Sequence, residues 1–261
     1  MALTVIAAPL AETIAQTTKV PAEVIARRLA NKNQRQQNHS QKTKKAKAAS
    51  VQLYGYVTES QDRDPGLYKF SSTDASNISL VNSDVQCYNA ATYYQGTFLS
   101  SYYIEDNDQL TFPIHFYEYN TNDWSLTVDN PSASLAYNTI SKDLTYDPTT
   151  QQVYGIFSDV DYTGKYQTLA RLVQQNVFGE VITNTETIGE LPETMVAITC
   201  NRNGDLYTIG KTGNLYAVNK YSGNATLVGN TGFNPFYQFF QSATCDYATG
   251  KIYWAMIDKE E

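Results

Sequence analysis

The stretch VAITCNRNGDLYTIG at 196–210 returns in the same order of residue classes as SATCDYATGKIYWAM at 242–256 and as DLTYDPTTQQVYGIF at 143–157. AATYYQGTFLSSYY at 90–103 is a degenerate copy. Each copy is a short apolar segment, a turn rich in Asp, Asn, Gly or Pro, and a second segment dense in aromatics. That is the pattern of a β-hairpin. A second strand pair follows, seen in GLYKFSSTDASNISLV (66–81), IHFYEYNTNDWSLTV (114–128), TLARLVQQNVFGEVIT (168–183) and GNLYAVNKYSGNATLVG (213–229). With the four strands lettered A to D, the B position falls at Tyr54, Leu99, Tyr154, Tyr207 and Tyr253. The C position falls at Tyr68, Tyr117, Ala170 and Tyr216, and the two series drift together.

Four short strands repeated about every fifty residues, with insertions confined to turns, predict an all-β fold, a β-propeller of four-stranded antiparallel blades. A lone small sheet cannot cover two apolar faces, so blades stack, which explains strands as continuously apolar as IYWAMI at 252–257. Composition agrees, with 21 Tyr against 3 Met, strand-favouring aromatics in place of flexible helix fillers. From residue 51 the tally is B, C and D in the first unit, three full units, and A and B at the end. The expectation is therefore an incomplete ring, four blades plus a partial fifth, with the last hairpin exposed.

ATCDYATGKIYWA resembles the repeats of YWTD-type and related YVTN-like or quinoprotein-like propellers, in which a strand ending near Asp passes through a Gly turn into an aromatic strand. LYAVNKYSGNATLVG is similar to their C and D strands, and the resemblance covers 51–261. Only Trp254 follows a B-strand Tyr, and no copy continues into Thr-Asp. The apolar start, polar linker and Tyr-rich blades are similar to secreted or envelope proteins of Gram-negative bacteria.

The N-terminal fifth differs in kind. Residues 1–50 carry nine Lys and Arg against two acids, so 51–261 holds ten basic and 24 acidic residues. An acidic folded part repels phosphate backbones, which argues against a nucleic-acid partner. ALTVIAAPLA at 2–11 with Thr13-Ile14-Ala15 behind it reads as a signal-peptide remnant over 1–15, although no basic residue precedes the run. The other reading is a buried N-terminal helix. No stretch reaches the roughly 18–20 apolar residues a membrane-spanning helix needs. Residues 16–50 read as a basic polar linker with one short helix at 21–30 begun by Pro21, and the Lys42 to Lys47 cluster as a solvated segment. These features predict a secreted, periplasmic or cell-surface protein.

Chemistry is sparse. The two histidines are His39, in the linker, and His115, alternating with Ile114 and Phe116 in a strand, and neither has a nucleophile beside it. Cys200 and Cys245 fill the same repeat slot that Tyr146 fills in another copy. With Cys87 the count is odd and no CxxC occurs, so buried free thiols are expected. Asp147, Asn201 and Asp246 follow the A strand in successive units, at positions that meet near one mouth of a propeller channel. They either form a ligand-binding polar ring or cap the A–B turns through their side chains. Asp159 and Asp161, like Glu105, Asp106 and Asp108, sit in B–C loops that could hold Ca²⁺, and no cofactor is otherwise indicated. The sequence thus points to a non-catalytic binding or scaffold module for a protein or glycan. The alternatives are a glycoside hydrolase-like or quinone-dependent propeller enzyme with acids at the channel mouth, and a structural module of a larger surface protein.

Overall fold

A computed structural model describes residues 4–6, 50–58, 60, 62–103, 114–131, 139–159, 167–177 and 180–257. Strand β1 (Thr4–Ile6) stands first. A three-stranded sheet follows from β2 (Gln52–Val57), β3 (Gly66–Ser71) and β4 (Asp74–Asn82). The second blade holds β5 (Ala90–Tyr94), β6 (Thr97–Tyr103), β7 (Ile114–Asn120) and β8 (Leu126–Pro131). The third holds β9 (Thr139–Asp147), β10 (Gln152–Asp159), β11 (Gln167–Val177) and β12 (Glu180–Glu190). The fourth holds β13 (Met195–Cys200), β14 (Leu206–Gly210), β15 (Asn214–Val218) and β16 (Ala225–Asn230). The fifth is the hairpin β17 (Ser242–Asp246) and β18 (Lys251–Met256), with β1 paired antiparallel on its outer side. Every pairing is antiparallel between chain neighbours except β1 with β18, and no helix occurs among the described residues. The chain is an all-β propeller, and its B and C strands carry the aromatic positions that the repeat marks.

The inner strands β5, β9, β13 and β17 stand side by side around the axis. Being enclosed by neighbouring blades, β13 is buried at every residue, and Val196, Ala197 and Ile198 are fully so. Val196 and Ile198 each contribute about 1.5–3 kcal/mol on leaving water. The outer strands β4 and β16 carry mostly exposed or half-exposed residues, as a solvated edge requires.

Apolar clusters join each blade to the next. Leu67 and Val85 meet Phe98 and Tyr119 between the first two blades, and Leu99 and Phe116 meet Leu144 and Phe157 between the second and third. Leu169 meets Ile198 and Leu206 across the next interface, and Val196 and Ile209 meet Trp254 across the fourth. Tyr253 of the fifth blade packs with Leu53 and Phe70 of the first. The partial fifth blade expected from the repeat is therefore present, but its hairpin is covered. Tyr253 is 6% exposed and Trp254 7%. The reason is lateral: a blade buries its faces against neighbours on both sides, and the first blade offers Leu53 and Phe70 to the last.

Thr4–Ile6, assigned by sequence to a leader, pairs with Trp254–Met256 in this structure. The short helix at 21–30 and the Lys42 to Lys47 cluster lie outside the described residues. No described helix is long and apolar enough to cross a membrane.

Candidate functional site

Asp147, Asn201 and Asp246 each end or follow an inner strand and fold back on their own A–B turn. Asp147 accepts from Thr149 N at 2.8 Å, Thr149 Oγ1 at 2.7 Å and Thr150 Oγ1 at 2.8 Å. Asn201 Oδ1 accepts from Asn203 N at 2.9 Å and Asp205 N at 3.0 Å, while its amide donates to Asp205 Oδ2. Asp246 accepts from Ala248 N at 3.0 Å and from the Thr249 hydroxyl. These are Asx turns, in which the side chain takes the donors that a tight backbone turn leaves over.

Asp147 does more than cap. Its side chain is fully buried and Lys220, from the turn after β15 in the fourth blade, donates to it. Lys220 also donates to Thr149 Oγ1 at 3.1 Å and Gly204 O at 3.0 Å. Burial alone would raise this carboxyl, but Lys220 and the threonine donors outweigh it and hold the pKa at about 2. Gly204 sits at φ +83°, and a Cβ there would overlap Thr149 Oγ1, Lys220 Nζ and Asp147 Oδ1, so the site requires glycine.

The carboxylates are thus occupied, and the face around them is aromatic. Tyr94 stacks on Tyr146, ring centroids 5.5 Å apart, and Gln95 Nε2 donates to the Tyr146 hydroxyl at 2.9 Å. The Tyr247 hydroxyl donates to Tyr146 O at 3.1 Å, which fixes its ring beside the third blade. Tyr93 and Tyr221 stand out at 62% and 77% exposure, and Lys220 Nζ lies 5.8 Å from the Tyr221 ring centroid. Between the A–B turns of the third, fourth and fifth blades is an open depression of about 420 Å³, lined by Pro148, Thr149, Arg202, Tyr247 and Ala248. Arg202 is exposed, and no described carboxylate lies within ion-pair distance of it.

Sequence reasoning therefore placed the three turns on one face, while Arg202 and Tyr247 went unnoticed. Their signal was present: Pro148, Arg202 and Tyr247 occupy the repeat position just after Asp147, Asn201 and Asp246. The candidate Ca²⁺ residues stand elsewhere. Asp159 closes β10, 5% exposed, and Asp161 lies outside the described residues, as do Glu105, Asp106 and Asp108. No cluster of three potential metal ligands occurs among the described residues. His115 lies against Tyr117, with Nδ1 3.5 Å from Asp129. Cys87, Cys200 and Cys245 are free thiols, and burial pushes the first two up to about 12, which leaves them protonated and unreactive at neutral pH.

A second polar group, unnoticed in the sequence, lies on the axis. Asp143 of β9 is fully buried and accepts from Ile198 N at 2.9 Å, Ala243 N at 3.1 Å, Ser242 Oγ at 2.9 Å and Leu144 N at 3.0 Å. One side chain thereby ties three inner strands together. Its neighbour Lys142 occupies a bulge opposite Ile156 and Phe157, donates to Tyr237 O at 3.1 Å and lies 4.6 Å from the Phe240 ring centroid. Burial lowers the Lys142 pKa to about 7.

No family model matches the chain, and no curated protein sequence does. Among solved structures, the crystal structure of TolB from Acinetobacter baumannii is similar over 79% of this chain and 51% of that one, at 11% sequence identity and a TM-score of 0.41. The chain spans about half the length of that structure.

Proposed function

We propose that this propeller is an exported, non-catalytic binding module that takes a protein or a glycan on the face formed by its A–B turns. The observation that carries the reading is the division of labour on that face. Asp147 and Asp246 are engaged in their own turns and Asp147 in the Lys220 pair, whereas Tyr247 and Arg202 face solvent at the depression and Tyr93 and Tyr221 are exposed on the chain. Asp147, which accepts from Thr149 N, Thr149 Oγ1, Thr150 Oγ1 and Lys220 Nζ, is poorly placed to protonate a leaving group or activate water. Exposed tyrosines, by contrast, supply rigid amphipathic contact area at small entropic cost. Export follows from reading the apolar run at 2–11 as a leader, whereas Thr4–Ile6 of that run pairs with β18; fractionation of cells expressing the full chain, with N-terminal sequencing of the product, decides between a removed leader and a retained strand.

The binding reading is tested on arrays of glycans and extracellular proteins probed with the wild type and with a Tyr93→Ser, Tyr221→Ser, Tyr247→Ser variant. These side chains are partly exposed, so the variant is expected to melt within a few degrees of the wild type. The expected result is a ligand signal that the variant loses. Hydrolysis of a glycan that disappears in Asp147→Asn would replace the binding reading with the enzymatic one.

A further inference from the structure

We propose that the depression between the A–B turns of the third, fourth and fifth blades is a subsite for the carboxylate-bearing ring of an acidic sugar, a hexuronate within a glycan. This rests on the reading that the A–B face binds ligand, and it names the chemistry. A depression of about 420 Å³ is on the scale of small-ligand sites, roughly 300–1,000 Å³. It is built from three turns, so it offers no free strand edge for a peptide to extend and no long groove for a helix. A compact ring suits it better than a chain.

Two wall residues select the ring. The Tyr247 hydroxyl is committed to Tyr146 O, so the half-exposed side chain offers its ring rather than its oxygen. Pro148 and Ala248 add apolar surface beside it. Thr149 has its hydroxyl engaged with Asp147 and Lys220, and Lys220 is neutralised by Asp147, so neither supplies a free charge. Arg202 is the cation without a partner at this wall, and guanidinium binds carboxylate through paired, charge-assisted hydrogen bonds. One isolated cation on an acidic propeller fits a ligand with one carboxylate and neutral neighbours, since a dense polyanion would be repelled by the surrounding body.

The probe is a trisaccharide of one glucuronate on xylobiose, compared by calorimetry or NMR titration with its methyl ester and with a capped tripeptide carrying one glutamate. The acid is expected to bind, and the ester to bind about tenfold more weakly or worse. Arg202→Ala should lose about tenfold and Arg202→Lys less, both with unchanged melting, and Tyr247→Ala should lose binding of acid and ester alike while melting within a few degrees of the wild type. Equal affinity for acid and ester, or indifference to Arg202→Ala, overturns the acidic-sugar assignment; if Tyr247→Ala still abolishes both, the A–B face remains the binding face. Absence of trisaccharide binding to folded protein also overturns it, as does tighter binding of the glutamate peptide.

Discussion

Asp147 shows how one residue can look like chemistry and serve structure. Its pKa is 3.8 in the unfolded chain and about 2 in the fold, so the folded state holds its proton less tightly. The resulting stability is fully present above pH 4 and is lost as pH falls through about 2, and it amounts to about 2 kcal/mol. Asp147→Asn should therefore unfold in urea with about 2 kcal/mol less stability at pH 7, and the gap from wild type should close near pH 2. A gap unchanged by pH would mean that the Lys220 pair contributes nothing. The turn role of this side chain was legible because its donors, Thr149 and Thr150, lie two and three residues away. Lys220, 73 residues distant, was not legible, because nothing in the local sequence of either residue specifies the other.

At the scale of elements, β9 is the informative strand. It reads in sequence as TISKDLTYD, polar at alternate and adjacent positions, yet eight of its nine residues are buried. The strand is tolerated on the axis because Asp143 finds donors on β13 and β17, 55 and 100 residues away. That arrangement could not be read from periodicity, which locates strands but not the partners of a buried polar group. Burial pushes the Asp143 carboxyl up to about 8 against the four donors that lower it, and because each oxygen meets two of those donors, Asp143→Asn must turn an NH₂ toward two of them. A loss of about 3 kcal/mol or more is expected, together with faster hydrogen exchange at Ile198 and Ala243. Wild-type exchange at those two amides would show that the three inner strands dock without this side chain. The A–B turns, in contrast, were legible as elements, since Asp or Asn before Gly, Pro or Thr carries its own hydrogen bonds.

For the whole molecule, the repeat period gave the blades, and the strand tally gave the partial fifth. What it did not give was the contact between first and last blades, because Leu53, Phe70 and Tyr253 become neighbours only once the intervening blades set the curvature. Tyr253→Ala should cost about 3 kcal/mol and open the first blade to protease, while Tyr253→Phe should stay within about 1 kcal/mol of wild type. Cleavage unchanged in the alanine variant would mean that the two blades stand independently.

The claim that the A–B face separates structural acids from ligand-facing tyrosines is tested most directly by measuring melting and binding together, at a temperature where both variants are folded. With the array-identified ligand, Tyr221→Ser combined with Tyr247→Ser should abolish binding and leave melting near wild type. Asp147→Asn should lower melting and still bind, at least as tightly as wild type where the ligand is acidic, because Lys220 loses its counter-charge. The contradicting result is the reverse: an Asp147→Asn protein as stable as wild type that no longer binds, beside a double tyrosine variant that binds as before.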